Sequence, residues 1–131
     1  MLFRSNAPVN SKRGIKRIWQ AIFYSLDGLG AAFEHEDAFR LEVVLALALI
    51  PLALSVHVDA VAKALLIASV MLVLIAELFN SAIEAIMDRV SLENHVLTKR
   101  AKDFGSAAVM LSLLNAAVVW LLILGGKFLP K

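Results

Sequence analysis

Three long apolar segments make up most of this chain, and they restrict it to a fold that crosses a membrane. The third segment, 105–126, runs for roughly 22 residues without a charged side chain, and about 20 residues span the hydrocarbon core of a bilayer as a helix. The first segment runs from about residue 41 to 58, and the second from about 61 to 87. Because 60% of the 131 residues are hydrophobic, we predict one all-α membrane domain over residues 14–126.

The distribution of basic residues predicts how these segments are oriented. Basic residues cluster before the first span and in the loop between the second and third spans, at Arg4, Lys12, Arg13, Lys16, Arg17, Arg89, Lys99, Arg100 and Lys102. The turn between the first two spans contains a single basic residue, Lys63. The positive-inside rule therefore places the N-terminus and the second loop in the cytoplasm, and the C-terminus outside.

Residues 14–33 have the pattern of an amphipathic helix. Apolar residues recur there at helical spacing, at Ile15, Ile18, Trp19, Ile22 and Leu26. We predict a surface helix in the cytoplasmic membrane interface, with a disordered extension over residues 1–13 before it. Residues 127–131 are expected to form a short tail. The absence of cysteine excludes disulfides, zinc–thiolate sites and thiol nucleophiles.

A polar stripe interrupts the second apolar segment. Its members, Glu77, Asn80, Glu84 and Asp88, lie within about 80° of one another around a helix that turns 100° per residue. An acidic residue at the centre of a membrane helix costs roughly 2.5–3.5 kcal/mol on insertion scales, so its presence indicates a function. Glu77 is the deepest member, about 16 Å along the axis from Asp88. The stripe is predicted to open towards the cytosol.

Further polar residues are predicted at the cytoplasmic end of this stripe. Glu36 precedes the first span, and Lys102 and Asp103 precede the third. A deep carboxylate such as Glu77 can remove a proton from a lipid hydroxyl. Glu36 and Glu84 can bind Mg²⁺, which prefers oxygen ligands, and a lysine can neutralise phosphate oxygens. This arrangement predicts phosphoryl transfer at the membrane interface.

Two motifs in the sequence closely resemble the bacterial integral-membrane diacylglycerol kinases. They are residues 77–89, ELFNSAIEAIMDR, and residues 100–109, RAKDFGSAAV, and the resemblance extends over roughly residues 15–125. It implies a homotrimer in the bacterial inner membrane, with three transmembrane helices per chain, an N-terminal surface helix and a catalytic site shared between subunits. It also implies phosphorylation of diacylglycerol to phosphatidic acid with ATP as co-substrate and Mg²⁺ as cofactor.

The resemblance also implies roles for individual residues. Glu77 would be the catalytic base, Asn80 would support it, and Glu36 and Glu84 would bind the metal. The residues around ATP would be Arg17, Tyr24, Glu36, Glu84, Glu93, His95, Lys102 and Asp103. The lipid-binding surface would be formed by Ala21, Ser25, Ala31, Arg40, Glu42, Glu77, Ser106 and Trp120. Three positions depart from the family pattern outside these core motifs: Asp27, His35 and Asn115.

Other interpretations fit some of these residues. Considered by itself, Glu36 could be a solvent-exposed residue at the start of a helix. Lys102 by itself could be a membrane-flanking lysine whose charged end extends to the interface. A small ion- or proton-coupled transporter also uses an intramembrane carboxylate and needs a polar pathway to both sides. Residues 64–76, in the outer half of the second span, have only Ser69 as a polar residue, and the outer half of the third span offers only Asn115 as an obvious polar group. A non-catalytic assembly protein would not need acidic and basic groups at one depth. Within the kinases, undecaprenol is the alternative acceptor, and the sequence of residues 105–108 favours diacylglycerol.

Overall fold

The computed structural model describes residues 11–90 and 95–129, which form four α-helices. Their bounds are Ser11–His35 for α1, Asp37–Ser55 for α2, Ala60–Val90 for α3 and His95–Phe128 for α4. The described ranges contain no β-strand, so the predicted all-α class is confirmed. Residues 1–10 of the predicted extension, residues 130–131 of the tail and Glu93 lie outside the described residues.

The chain divides into two compact units, residues 1–31 and residues 32–131. The described part of the first unit belongs to α1, which is strongly amphipathic. Its aromatic rings at Trp19 and Phe23 stack with their centroids 6.3 Å apart. One turn further on, the Oγ of Ser25 donates a hydrogen bond to the carbonyl oxygen of Ala21 at 2.7 Å.

The second unit contains α2, α3 and α4, and α3 packs against both of the others. All three helices are long and apolar enough to cross a membrane, as the sequence predicts. The buried apolar residues of this unit are Ala32, Phe39, Ala46, Ala53, Leu66, Val70 and Val73. Many large apolar side chains point outwards, and Leu47, Leu121 and Leu122 are more than 70% exposed. Such a surface suits lipid or protein contact better than water.

The joint between α1 and α2 is built around Glu36. This residue is extended, with φ −117° and ψ 106°, so it interrupts the helical backbone. The guanidinium of Arg40 closes the joint, since its Nε donates to the carbonyl oxygen of Phe33 at 3.0 Å and its Nη2 to that of Glu34 at 2.8 Å. These carbonyls end a helix and lack helical partners, so one arginine satisfies two of them.

The opposite end of the bundle contains the turn between α2 and α3. Asp59 begins α3 as its cap, because its Oδ1 accepts a hydrogen bond from the backbone N–H of Ala62 at 2.8 Å. The Nζ of Lys63 donates to the carbonyl oxygen of Leu54 at 2.9 Å, and the Nζ of Lys127 donates to that of His57 at 2.8 Å. Two lysines thus stabilise carbonyls near the C-terminal end of α2.

Candidate functional site

The polar stripe of α3 changes from buried to exposed along the helix. Glu77 and Asn80 are buried, with 7% and 9% of their surface exposed. Glu84 is half-buried, and Asp88 is exposed. Positions three or four residues apart lie on one face of a helix, so the stripe forms a polar path that is closed at Glu77 and open at Asp88.

Carboxylates from three parts of the second unit converge on Glu77. The charges of Glu84 and Glu36 both act on the carboxylate of Glu77, and that of Glu77 acts on Glu42. Glu36 comes from the α1–α2 joint and Glu42 from α2. Neighbouring like charges repel one another, so either a bound cation or a proton on one of the carboxyl groups would stabilise the arrangement.

Asn80 connects the buried and the open parts of the stripe. Its Nδ2 donates a hydrogen bond to Oε1 of Glu84 at 3.3 Å. Its Oδ1 is buried and accepts no hydrogen bond. A carboxylate can only accept, so the Asn80 amide must turn its nitrogen towards Glu84 to make this bond. The structure therefore assigns Asn80 a direct contact with one of the two predicted metal ligands.

A basic residue of α4, Lys102, meets the open end of the stripe. The Nζ of Lys102 donates to Oδ1 of Asp88 at 2.5 Å, which joins α4 to α3. The charge of Glu84 also acts on Lys102. Asp103 pairs within α4 instead, because its Oδ2 accepts from Nζ of Lys99 at 2.6 Å. The sequence alone places Asp88 in the polar stripe, but it does not identify Asp88 as the partner of Lys102.

Two residues predicted on the lipid-binding surface make contacts inside the second unit. Arg40 closes the α1–α2 joint, and its guanidinium also lies 5.6 Å from the ring centroid of Phe33. The indole Nε1 of Trp120 donates to the Oγ of Ser69 at 3.1 Å and to the carbonyl oxygen of Leu66 at 3.3 Å. Both side chains therefore connect elements of the fold.

Glu42 lies at an apolar cavity between α2, α3 and α4. The cavity has a volume of about 90 Å³. Its lining consists of Glu42, Leu45, Ala46, Leu49, Val70, Val73, Leu74, Leu113 and Ala116. The Oε2 of Glu42 is buried and makes no hydrogen bond. Ser106, predicted on the same lipid-binding surface, is exposed on α4.

The remaining predicted residues lie on α1 or at the start of α4. Those in the first unit are Arg17, Ala21, Tyr24, Ser25 and Ala31. At 100° per residue they lie within about 120° around α1, so they share one side of that helix. His95 is the first residue of α4, and its side chain is not among those that the structure describes.

The second unit is all-α, with three helices of membrane length and a carboxylate-rich path that is open at one end. This is the arrangement of an interfacial membrane enzyme. The family model for prokaryotic diacylglycerol kinase matches residues 23–124. The diacylglycerol kinase of Escherichia coli strain K12 is 47% identical over 119 residues, which cover 91% of this chain and 98% of that protein. The diacylglycerol kinase of Pseudomonas aeruginosa strain PAO1 is 51% identical over 122 residues, which cover 93% and 99%.

A relative with lower sequence identity is also a diacylglycerol kinase. The diacylglycerol kinase of Helicobacter pylori strain 26695 is 43% identical over 108 residues, which cover 82% of this chain and 84% of that protein. The chain belongs to the prokaryotic diacylglycerol kinase family, which confirms the resemblance seen in the sequence. It is therefore a lipid kinase, with ATP as co-substrate, rather than a transporter or an assembly protein.

Proposed function

We propose that this protein transfers the γ-phosphoryl group of ATP to diacylglycerol, forming phosphatidic acid, at the cytoplasmic face of the bacterial inner membrane. The curated relatives carry the name diacylglycerol kinase, which supports this acceptor over undecaprenol. The observation that carries the proposal is the polar path of α3, with Glu77 buried at its closed end and Lys102 bound to Asp88 at its open end.

Glu77 is the catalytic base in this proposal. The hydroxyl oxygen of the lipid attacks the γ-phosphorus while the bond from this phosphorus to the β–γ bridging oxygen breaks. The hydroxyl proton passes to the Glu77 carboxylate, and ADP leaves. A buried position excludes water from the reacting hydroxyl, so hydrolysis of ATP does not compete with transfer. Acid–base catalysis of this kind contributes about 10²–10⁴ to a rate.

The side chains around Glu77 fit the binding of Mg²⁺ with ATP. The donors are carboxylate oxygens, and Glu36 and Glu84 both lie within electrostatic range of Glu77. An ion held by two carboxylates would complete its shell with substrate phosphates and water, as Mg²⁺ usually does. Mg²⁺ bound by Glu36 and Glu84 would neutralise the negative charge that develops on the transferred phosphoryl group.

The wider arrangement completes the proposal. Residues 14–126 form one kinase domain, whose α1 lies in the membrane interface and whose outward apolar surfaces contact lipid and two further copies in a homotrimer. Lys102 and Asp103 bind the nucleotide. The amphipathic pattern of α1 and the exposed leucines of α2 and α4 support this arrangement.

Radiolabelled ATP tests the acceptor directly. Purified protein in mixed micelles receives [γ-³²P]ATP with diacylglycerol, with undecaprenol, or with no lipid alcohol. We expect labelled phosphatidic acid, its formation dependent on Mg²⁺. Labelled undecaprenyl phosphate without phosphatidic acid would identify the other acceptor, and release of labelled inorganic phosphate alone would refute lipid phosphorylation.

A further inference from the structure

Gly105 is the point at which α4 lies against the polar stripe of α3. It is buried, and a Cβ built on it would overlap with Oδ1 of Asn80 and lie 3.3 Å from Cγ of the same residue. Gly125 and Gly126 lie on the same helix, yet a Cβ built on either has no atom within 4 Å. On α4, a side chain in place of glycine would therefore clash at position 105, next to Asn80, but not at position 125 or 126.

The Asn80 amide fills the space that a side chain at position 105 would take. Since Oδ1 lies next to the position of the absent Cβ, the α-hydrogen of Gly105 that replaces this Cβ points towards Oδ1. A Cα–H···O contact of this kind is a weak hydrogen bond and suits a buried oxygen that has no stronger donor. The other side of the same amide donates from Nδ2 to Glu84.

We propose that Gly105 is a positioning residue for phosphoryl transfer, which acts by leaving room for the Asn80 amide and so holds the Glu84 carboxylate in place for the metal–nucleotide complex. The inference rests on the proposed role of Glu84 as a metal ligand. Partners that orient a ligand in this way typically change metal affinity by about 10- to 100-fold when they are lost.

The geometry predicts a functional rather than a structural defect for Gly105→Ala. The new methyl group would collide with the end of a rotatable side chain, and its contact with Cδ1 of Ile83, at 3.5 Å, would be ordinary. Alanine also has a higher helix propensity than glycine. The Asn80 amide would therefore turn away from Glu84 while α3 and α4 remain packed.

The matched control is Gly125→Ala, the same substitution on the same helix in open space. Two measurements are made on each purified variant in micelles: the affinity for Mn²⁺ in the presence of ATP, by electron paramagnetic resonance, and the Mg²⁺ concentration for half-maximal activity. We expect Gly105→Ala to weaken both by about tenfold or more, as for loss of an orienting partner. Its unfolding midpoint should match that of Gly125→Ala. Equal Mn²⁺ affinity in the two variants would overturn the proposal.

A double-mutant cycle with Asn80→Ala tests whether Gly105 acts through Asn80. Asn80→Ala should itself weaken Mn²⁺ binding, and it removes the amide with which the new methyl group would collide. Gly105→Ala should therefore cause no further loss of Mn²⁺ affinity in the Asn80→Ala background. A full additional loss, or a double variant that fails to fold, would show that Gly105 serves helix packing and would refute the inference. If wild-type protein labels no lipid but Mn²⁺ binding follows this pattern, the proposed reaction fails, whereas the role of Gly105 in positioning Glu84 for the metal stands.

Discussion

Glu77 is a carboxylate buried among the apolar side chains of α3. The apolar residues Val70 and Val73 are buried one to two turns before it on the same helix, and the charges of Glu84 and Glu36 act on it. Burying a charge that has no paired cation is destabilising, so packing does not explain why an acid stands at this position. The role proposed for Glu77 explains it, because a base at the closed end of a polar path would be shielded from water.

Glu77→Gln should abolish phosphoryl transfer and leave the fold intact. Glutamine has the same shape but cannot take a proton, so the rate should fall by about 10²–10⁴. Transfer of label to diacylglycerol measures the rate, and the thermal unfolding midpoint in micelles reports the fold. Glu34→Gln, at an exposed position, is the matched control and should keep wild-type activity. Near wild-type turnover of Glu77→Gln would exclude it as the base.

Glu36 and Glu84 should behave as a pair in magnesium titrations. Replacing either with glutamine removes an anionic ligand, so the Mg²⁺ concentration for half-maximal activity should rise by about tenfold or more. The KM for diacylglycerol should change little, because neither residue is proposed to touch the lipid. Magnesium curves that coincide with wild type for both variants would place the metal ligands elsewhere.

At the scale of elements, polar contacts set the register between α3 and α4. Apolar helices in a membrane gain little specificity from the hydrophobic effect, because lipid tails are as apolar as leucine. Trp120 hydrogen-bonds Ser69 at one level, and Lys102 binds Asp88 at another, further along the helix pair. Gly105 lies against Asn80 between them. A shift of one residue along either helix would break all three contacts.

Trp120→Phe should destabilise the α3–α4 pair. The substitution keeps an aromatic ring but removes the N–H that donates to Ser69, and a hydrogen bond of this kind contributes about 0.5–1.5 kcal/mol. The unfolding free energy in mixed micelles measures the loss. Ser69→Ala should cause a similar loss, and the double variant should lose less than the sum. Strict additivity would show that the indole–hydroxyl contact does not contribute.

At the scale of the whole molecule, the distribution of basic residues predicts how the chain is oriented in the membrane. The described basic residues outside the apolar spans include Lys12, Arg13, Lys16 and Arg17 on α1 and Lys99, Arg100 and Lys102 on α4. The turn between α2 and α3 has Lys63, which is bound to the carbonyl oxygen of Leu54. The positive-inside rule therefore favours a cytoplasmic N-terminus and an α2–α3 turn on the outer side.

The absence of cysteine makes this orientation testable with single substitutions. His57 lies in the α2–α3 turn and Arg100 near the start of α4, and both are exposed. In intact spheroplasts, a membrane-impermeant maleimide should label His57→Cys and not Arg100→Cys. After lysis both should react, which serves as the control for accessibility. The reverse pattern in intact spheroplasts would invert the proposed topology.

The sequence by itself determined the class of fold, the polar stripe and the family. Three apolar segments of membrane length, and carboxylates at helical spacing, are local patterns that any α-helix with this sequence must present. The sequence predicts Glu36 at the cytoplasmic end of the stripe, and in the structure the charges of Glu84 and Glu36 both act on Glu77.

Only the tertiary structure decided which residues of different helices meet. The pairing of Lys102 with Asp88, the hydrogen bond from Trp120 to Ser69 and the contact of Gly105 with Asn80 all depend on the register between α3 and α4. Helical periodicity specifies the face that a residue occupies, but not the level at which two helices contact each other. That level is set by the combined packing and polar contacts of residues far apart in the chain, because no single segment contains both partners.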